Sequence, residues 1–257
     1  MGNINYTFVI NGEEWKSCHL ERLAYERNLH ILHQMKQHGI EIKDGEKVLG
    51  DDEIDYLTAE EAWRISKTVR ASYSGKEMAE FYQDSFKKSD EMWKKLDFAQ
   101  DKPMKVSRCH MTVQGLMIPE FMQIMQKMQQ DENVLLEAHP EHFKTIVTEN
   151  DITGIEPFGM YGTPTLVHVK FADVSDLGEQ IRKDRLEDYP VAMTGKAYLT
   201  DDVTEINTPF HQMMPKKDGF EAELAVYWPV GVPDELVTGH SLHLAMEFYE
   251  GLKLFDK

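Results

Sequence analysis

The chain has 257 residues, 41% of them apolar, with a formal net charge of −17. It is long enough to bury a large core in one or two domains, and its acidic surface, with no offsetting Lys/Arg cluster, argues against a nucleic-acid partner. No apolar run approaches the roughly 18 residues of a membrane span. Two distant cysteines, Cys18 and Cys109, form no metal-knuckle pattern, and the opening "MGNINYTFVINGEEW" has the features of neither a secretory signal nor a myristoylation site. A cytoplasmic protein, away from membranes, is the expectation.

A short strand, "YTFVI", leads into a turn at Asn11-Gly12 and then a long helix, where Leu20, Leu23, Ile31 and Met35 recur near helical spacing and Gly39 stands at the C-terminal stop. Thr58 and Glu61 form a capping box before a second helix through Trp63 and Ile65. Helical patterning continues from Gly75 to Leu96 with Met78, Phe81, Phe86 and Trp93. Residues 1–100 therefore read as a mostly helical N-terminal domain.

Past "AQDKPMK" the pattern shortens. "VSRCHMTV" alternates, putting Arg108, His110 and Thr112 on one strand face and Cys109, Met111 and Val113 on the other, so Cys109 and His110 cannot share a site. "IPEFMQIMQKM" starts a helix at Pro119, with Phe121, Met122, Met125 and Met128 expected in the core. "TPTLVHVKF", "AMTGKAYL", "TPFHQMM" and "FEAELAVYWPVG" read as strands of a mostly antiparallel sheet, and a final helix begins near Asp234. The fold class is α+β, with residues 101–257 forming the second domain.

Three stretches carry metal-ligating residue types. "GHSLHLAMEFYE" sets His243 and Glu247 one helical turn apart beside the apolar stripe of Leu244, Phe248, Leu252 and Phe255, the spacing by which a helix offers a nitrogen and an oxygen to one ion. "HPEHF" concentrates His139, Glu141 and His142 in a short turn in which Pro140 suits a helix start; which of the three points inward cannot be read from spacing. His110 shares its strand face with polar neighbours. His211 and His168 are strand histidines, while His30 and His33 on the first long helix read as surface. No glycine-rich nucleotide loop and no GxSxG appear.

In chain order, "HMTVQGLMIPEFM", "HPEHF", "FHQMMPKKDGFEAELAVYWPVG" and "HLAME" together resemble the zinc-dependent acylphloroglucinol hydrolases, a family that includes diacetylphloroglucinol hydrolase and phloretin hydrolase. The resemblance spans roughly residues 105–250. It implies a small N-terminal domain beside a Bet v 1-like helix-grip domain, in which a curved antiparallel sheet wraps a long C-terminal helix around a cavity. It also implies Zn2+ held by His110, Glu141, His243 and Glu247. The chain departs from the family pattern in "MQIMQKMQQ" after the Pro-Glu helix start and in "LAVYW", differences that bear on the substrate.

The implied substrate is a small aromatic ketone and the implied reaction hydrolysis of its aryl–acyl carbon–carbon bond. Hydroxyls ortho and para to the acyl group let the ring tautomerise to a keto form, making the ketone a β-diketone that water can cleave. Such a site needs an activated water, a proton donor to the ring carbon and an oxyanion partner. His211 is the first candidate for proton transfer or hydrogen bonding, followed by His168, Tyr161 and Tyr227; His139, His142 and His240 are expected around the metal or on the surface. Two alternatives remain open: a helix-grip protein that binds an apolar ligand without chemistry, and a metal-dependent enzyme acting on another β-dicarbonyl. A homodimer is compatible with either.

Overall fold

A computed structural model of the chain describes residues 4–147, 151–160 and 162–254, with the side chain of Gln129 set aside. The chain begins with strands β1 (Asn5–Ile10) and β2 (Glu13–Trp15), then helix α1 (Ser17–Gln37). As expected, α1 stops before Gly39, whose φ of 86° is the left-handed conformation that glycine adopts at little steric cost. A small hairpin of β3 (Lys43–Asp44) and β4 (Lys47–Val48) precedes α2 (Asp51–Asp55), α3 (Ala59–Ala71), α4 (Gly75–Phe81) and α5 (Gln83–Leu96). The Thr58–Glu61 capping box starts α3: Thr58 Oγ1 accepts from the Glu61 amide, and Glu61 accepts from the Thr58 amide at 2.8 Å.

The C-terminal part runs β5 (Met104–Gln114), α6 (Ile118–Gln129), α7 (Glu132–Ala138), β6 (Lys144–Val147), β7 (Asp151–Glu156), β8 (Thr165–Phe171), α8 (Glu179–Lys183), β9 (Val191–Tyr198), β10 (Glu205–Lys216), β11 (Gly219–Pro229) and α9 (Asp234–Lys253). The four expected strands from β8 to β11 are all present. They belong to one nine-stranded antiparallel sheet ordered β2-β1-β5-β11-β10-β9-β8-β7-β6.

Two strands of that sheet come from the first fifteen residues, so it crosses the boundary expected near residue 100. Packing crosses it as well. Trp93 of α5 stacks on Trp228 of β11 with ring centroids 5.9 Å apart, and Phe158 meets both rings edge-on. Burying an aromatic of this size contributes about 2–3 kcal/mol. A further apolar cluster joins Ile31 and Met35 of α1, Ile65 of α3 and Tyr82 to Phe143 and Ile155 around β6 and β7. The N-terminal helices thus cover one end of the sheet.

Helix α9 is pinned across the sheet by polar contacts near its start. Ser107 of β5 donates to the Val237 carbonyl at 2.8 Å and accepts from Trp228 Nε1 at 2.9 Å, while Ser241 accepts from the Arg108 amide at 3.1 Å. These bonds fix the rotation of α9 and hence the face that carries His243 and Glu247. Among the described residues no helix is long and apolar enough to cross a membrane.

Candidate metal centre

On α9, the i, i+4 spacing brings His243 Nε2 to 3.0 Å from Glu247 Oε1, and both side chains face inward. The second contribution comes from the turn after α7. Instead of a helix starting at Pro140, α7 ends at Ala138, and residues 139–143 form an irregular turn into β6.

That turn is held from the N-terminal half. Arg70 of α3, fully buried, donates to the carbonyls of Leu136 at 2.9 Å, His139 at 2.8 Å and His142 at 2.6 Å. One guanidinium thus serves three backbone acceptors of a buried turn, of which the His139 carbonyl also accepts from the His142 amide at 3.2 Å. The turn then aims its side chains in two directions. His139 and His142 reach Glu247: His139 Nδ1 hydrogen-bonds Glu247 Oε1 at close range, and His142 Nε2 lies 3.0 Å from the same oxygen. Glu141 turns the other way, its Oε2 2.6 Å from His243 Nδ1 and its Oε1 2.6 Å from Nε of Arg27 on α1.

The third contribution is Glu156 at the end of β7, only 8% exposed, with Oε2 at 3.4 Å from His142 Nε2 and 3.8 Å from His243 Nε2. The loop that follows holds it in place by lying on α9: a Cβ added to Gly159 would stand 2.3 Å from the Gly239 carbonyl carbon, so the two backbones meet where no side chain fits.

These donors could hold a metal ion. Four nitrogen and oxygen donors about 2.0–2.1 Å from a tetrahedral zinc stand about 3.3–3.4 Å from one another. Among His142 Nε2, His243 Nε2, Glu156 Oε2 and Glu247 Oε1, the four His–Glu separations are 3.0, 3.0, 3.4 and 3.8 Å. His142 Nε2 and Glu156 Oε2 are buried and make no hydrogen bond of good geometry among the described residues; each is met only by oppositely charged members of the same cluster. An ion between them would satisfy both. The far nitrogens are oriented as metal-binding imidazoles require, His243 Nδ1 by Glu141 and His142 Nδ1 by Thr145 Oγ1 at 2.9 Å. Buried His and Glu groups that could hold a metal ion are therefore present.

The electrostatics fit the same picture. Burial opposes charge on His142, but Glu156 and Glu247 outweigh it and push its pKa up to about 9. Burial likewise works against His243, which Glu247 and Glu141 hold well above the ordinary histidine value. For Glu247 burial favours the neutral acid, yet His139, His243 and His142 keep the carboxylate well below its usual range.

The cluster forms part of the lining of a cavity of about 540 Å³ walled mainly by apolar side chains, including Met122, Met125, Phe158, Val167, Met193 and Phe248. Phe121 and Met128 are buried in the core as expected and Met122 and Met125 pack against it, and the three methionines also line this cavity. His211 and His240 also line it. Burial pushes His211 down to about 4, keeping it neutral, and its Nδ1 accepts from the Ala225 amide at 3.3 Å.

Of the four ligands implied by the resemblance, His243 and Glu247 are in the cluster and the other two are not. His110 lies on the opposite face of β5, 37% exposed, with Nδ1 3.4 Å from Glu223 Oε2 across the register pair of β5 and β11. Strand alternation forces this, because Cys109, Met111 and Val113 occupy the core face. Glu141 is adjacent but orients His243 rather than joining the donor set. Of His139 and His142, expected around the metal or on the surface, His142 joins the donor set and His139 stands beside it, hydrogen-bonded to Glu247.

The other expected catalytic residues separate similarly. His168 Nδ1 lies 3.3 Å from Thr153 Oγ1, on the face of β8 opposite the cavity-lining Val167 and Val169. Tyr227 also points away, donating to Asp184 at 2.6 Å beside Arg108, while its neighbour Val226 faces the cavity. Tyr161 and Phe255 lie outside the described residues. His30 is exposed, and His33 is paired with Asp55 at 2.8 Å. Glu156 was missed altogether; in "DITGIEP", where Ile152 and Ile155 are the large apolar residues, no spacing marks it as a site residue. No family model matches the chain, and no curated protein matches it.

Proposed function

We propose that the chain is a zinc-dependent hydrolase that cleaves the aryl–acyl carbon–carbon bond of an acylphloroglucinol, built on a helix-grip fold of the Bet v 1-like kind. The observation that carries this reading is the buried cluster of His142, Glu156, His243 and Glu247, with His–Glu separations of 3.0–3.8 Å, in the lining of an apolar cavity sized for an aromatic ligand. The long α9 lying across an antiparallel sheet supports the fold, and the position of His243 and Glu247 within "HLAME" supports the family.

His142, Glu156, His243 and Glu247 would hold the ion. Bound zinc supplies Lewis acidity toward an acyl carbonyl or a water molecule. The remaining work falls to the chain. Its apolar walls orient the ring and exclude bulk water. His211 keeps its proton on Nε2 and offers it to an oxygen of the ligand. His139, held below the ordinary histidine value by burial, is an imidazole beside the donors available to accept a proton.

In the reaction the ring carbon bearing the acyl group is protonated in the keto tautomer, and water oxygen bonds to the acyl carbon. The aryl–acyl bond then breaks with its electron pair passing into the ring enol. The products are the free polyhydroxylated ring and a carboxylic acid, and no oxidant or reductant is consumed. A carrier without a metal fits less well, since it would bury His142, Glu156, His243 and Glu247 around one point at the desolvation cost of an ion cluster and gain no apolar contact from them.

The test is to incubate zinc-loaded protein with phloretin and with an analogue lacking the ring hydroxyls, following release of the free ring by chromatography. Cleavage of phloretin alone is expected. No cleavage of any polyhydroxyaryl ketone at full zinc occupancy overturns the reading, and equal cleavage of both compounds overturns the tautomer step.

A further inference from the structure

Two cavity-lining imidazoles, His211 and His240, take no part in the donor cluster, and their surroundings fix where each carries its proton. His211 Nδ1 accepts the Ala225 amide, so the ring's own hydrogen is on Nε2. His240 is only 6% exposed and is wedged against Trp228 with ring centroids 4.9 Å apart, edge to face, and against His243 at 4.7 Å. Its Nδ1 is fully buried and has no hydrogen-bond partner among the described residues.

A buried N–H without an acceptor costs more than a lone pair without a donor, and orphaned buried N–H groups are rare in folded proteins. The lower-energy tautomer of His240 therefore leaves Nδ1 as the unmet lone pair and puts the hydrogen on Nε2. Both rings line one cavity, His211 edge-on to Phe248 with ring centroids 5.8 Å apart and His240 held between Trp228 and His243. Its other walls are largely apolar, and among the described residues no hydrogen bond is made by the Nε2 of either ring.

We propose that His211 and His240 form a two-donor site for an anionic or carbonyl oxygen of an aromatic ligand, a phenolate or the enolate of a ring β-diketone. The inference rests on the cavity of the proposed hydrolase and deepens that reading, because the ring enol released in bond cleavage is an oxygen of this class. Two N–H donors in a water-poor cavity favour the ionised over the neutral form of such an oxygen.

The probe is 4-nitrophenol, whose phenolate is yellow, titrated into the zinc-loaded protein near the probe's own pKa. The wild type is expected to draw the bound probe toward the phenolate. His211→Phe and His240→Phe at equal zinc content should each bind the phenolate roughly ten- to a hundredfold more weakly, the range for losing a hydrogen bond to a charged group. His240→Gln, which restores an N–H near the Nε2 position, should stay within about threefold of the wild type on the same scale.

Equal phenolate binding by wild type and both Phe variants overturns the proposal, as does a Gln variant as weak as the Phe variant. Independently of any substitution, nitrogen-15 spectra of the wild-type imidazoles should show Nε2 protonated in both rings and shifting on addition of the probe. An Nδ1-protonated His240 also overturns it. Phenolate binding without cleavage of any polyhydroxyaryl ketone would retain this site and reject the hydrolase, and cleavage without phenolate binding would do the reverse.

Discussion

Glu141 holds His243 from behind: its Oε2 stands 2.6 Å from His243 Nδ1, and its Oε1 stands 2.6 Å from Arg27 on the first long helix. The arrangement runs guanidinium, carboxylate, imidazole, and ends at the nitrogen that faces Glu247 and Glu156. A carboxylate behind a ligating histidine fixes its tautomer and raises its basicity. Replacing Glu141 with Gln should weaken zinc binding roughly 10–100-fold without emptying the site. Competition with a chelator of known affinity measures this. A complete loss of zinc would make Glu141 a ligand after all.

His110→Ala should leave zinc content unchanged, since that ring lies across the sheet from the cluster and pairs with Glu223. His142→Ala and Glu156→Ala should instead deplete zinc nearly completely. Elemental analysis of the three purified variants decides between the donor set described here and the one implied by the resemblance.

Much of this was legible in the sequence and some was not, for physical reasons. The helical row of His243 and Glu247 follows from spacing within one element, and so does the opposition of Cys109 and His110 along one strand. Spacing does not say which strand face meets the cavity, and His110 went to the wrong one. The turn "HPEHF" has no period from which to read direction; its three side chains are aimed by Arg70 and Arg27, which are distant in sequence. Glu156 depends on a loop seated against Gly239, a contact with no local signature.

Arg70→Met should destabilise the protein by about 3 kcal/mol or more, because three buried carbonyls lose their donor together. Zinc affinity should fall with it, since the same carbonyls set the path of the turn carrying His139 and His142. Denaturant unfolding of the zinc-free and zinc-loaded variant would show both effects. An unchanged midpoint would mean that the turn is held by other contacts.

Zinc uptake should release protons. In the metal-free protein His142 is raised to about 9, burial opposing but Glu156 and Glu247 prevailing, so it carries a proton at pH 7 that a ligating nitrogen must lose. Affinity for zinc should therefore climb between pH 7 and 9, and calorimetry in buffers of different ionisation enthalpy should detect the proton. Stability follows the opposite sign. With a folded pKa above the unfolded one, protonated His142 stabilises the metal-free fold fully below the ordinary histidine pKa of 6.5, and that contribution is lost as pH rises through about 9. Metal-free protein that gains stability from His142 over that interval would contradict the assignment.

The central claim is that His142, Glu156, His243 and Glu247 form a zinc centre, and X-ray absorption at the zinc edge tests it most directly. Protein purified without added metal should contain one zinc per chain with only nitrogen and oxygen neighbours at about 2.0–2.2 Å, including the outer-shell scattering of two imidazoles. Changing His142 to Ala should remove the signal, while the His110 variant should leave it intact. A spectrum with a sulfur neighbour at about 2.3 Å, or a chain that holds no zinc when zinc is supplied, would contradict the claim.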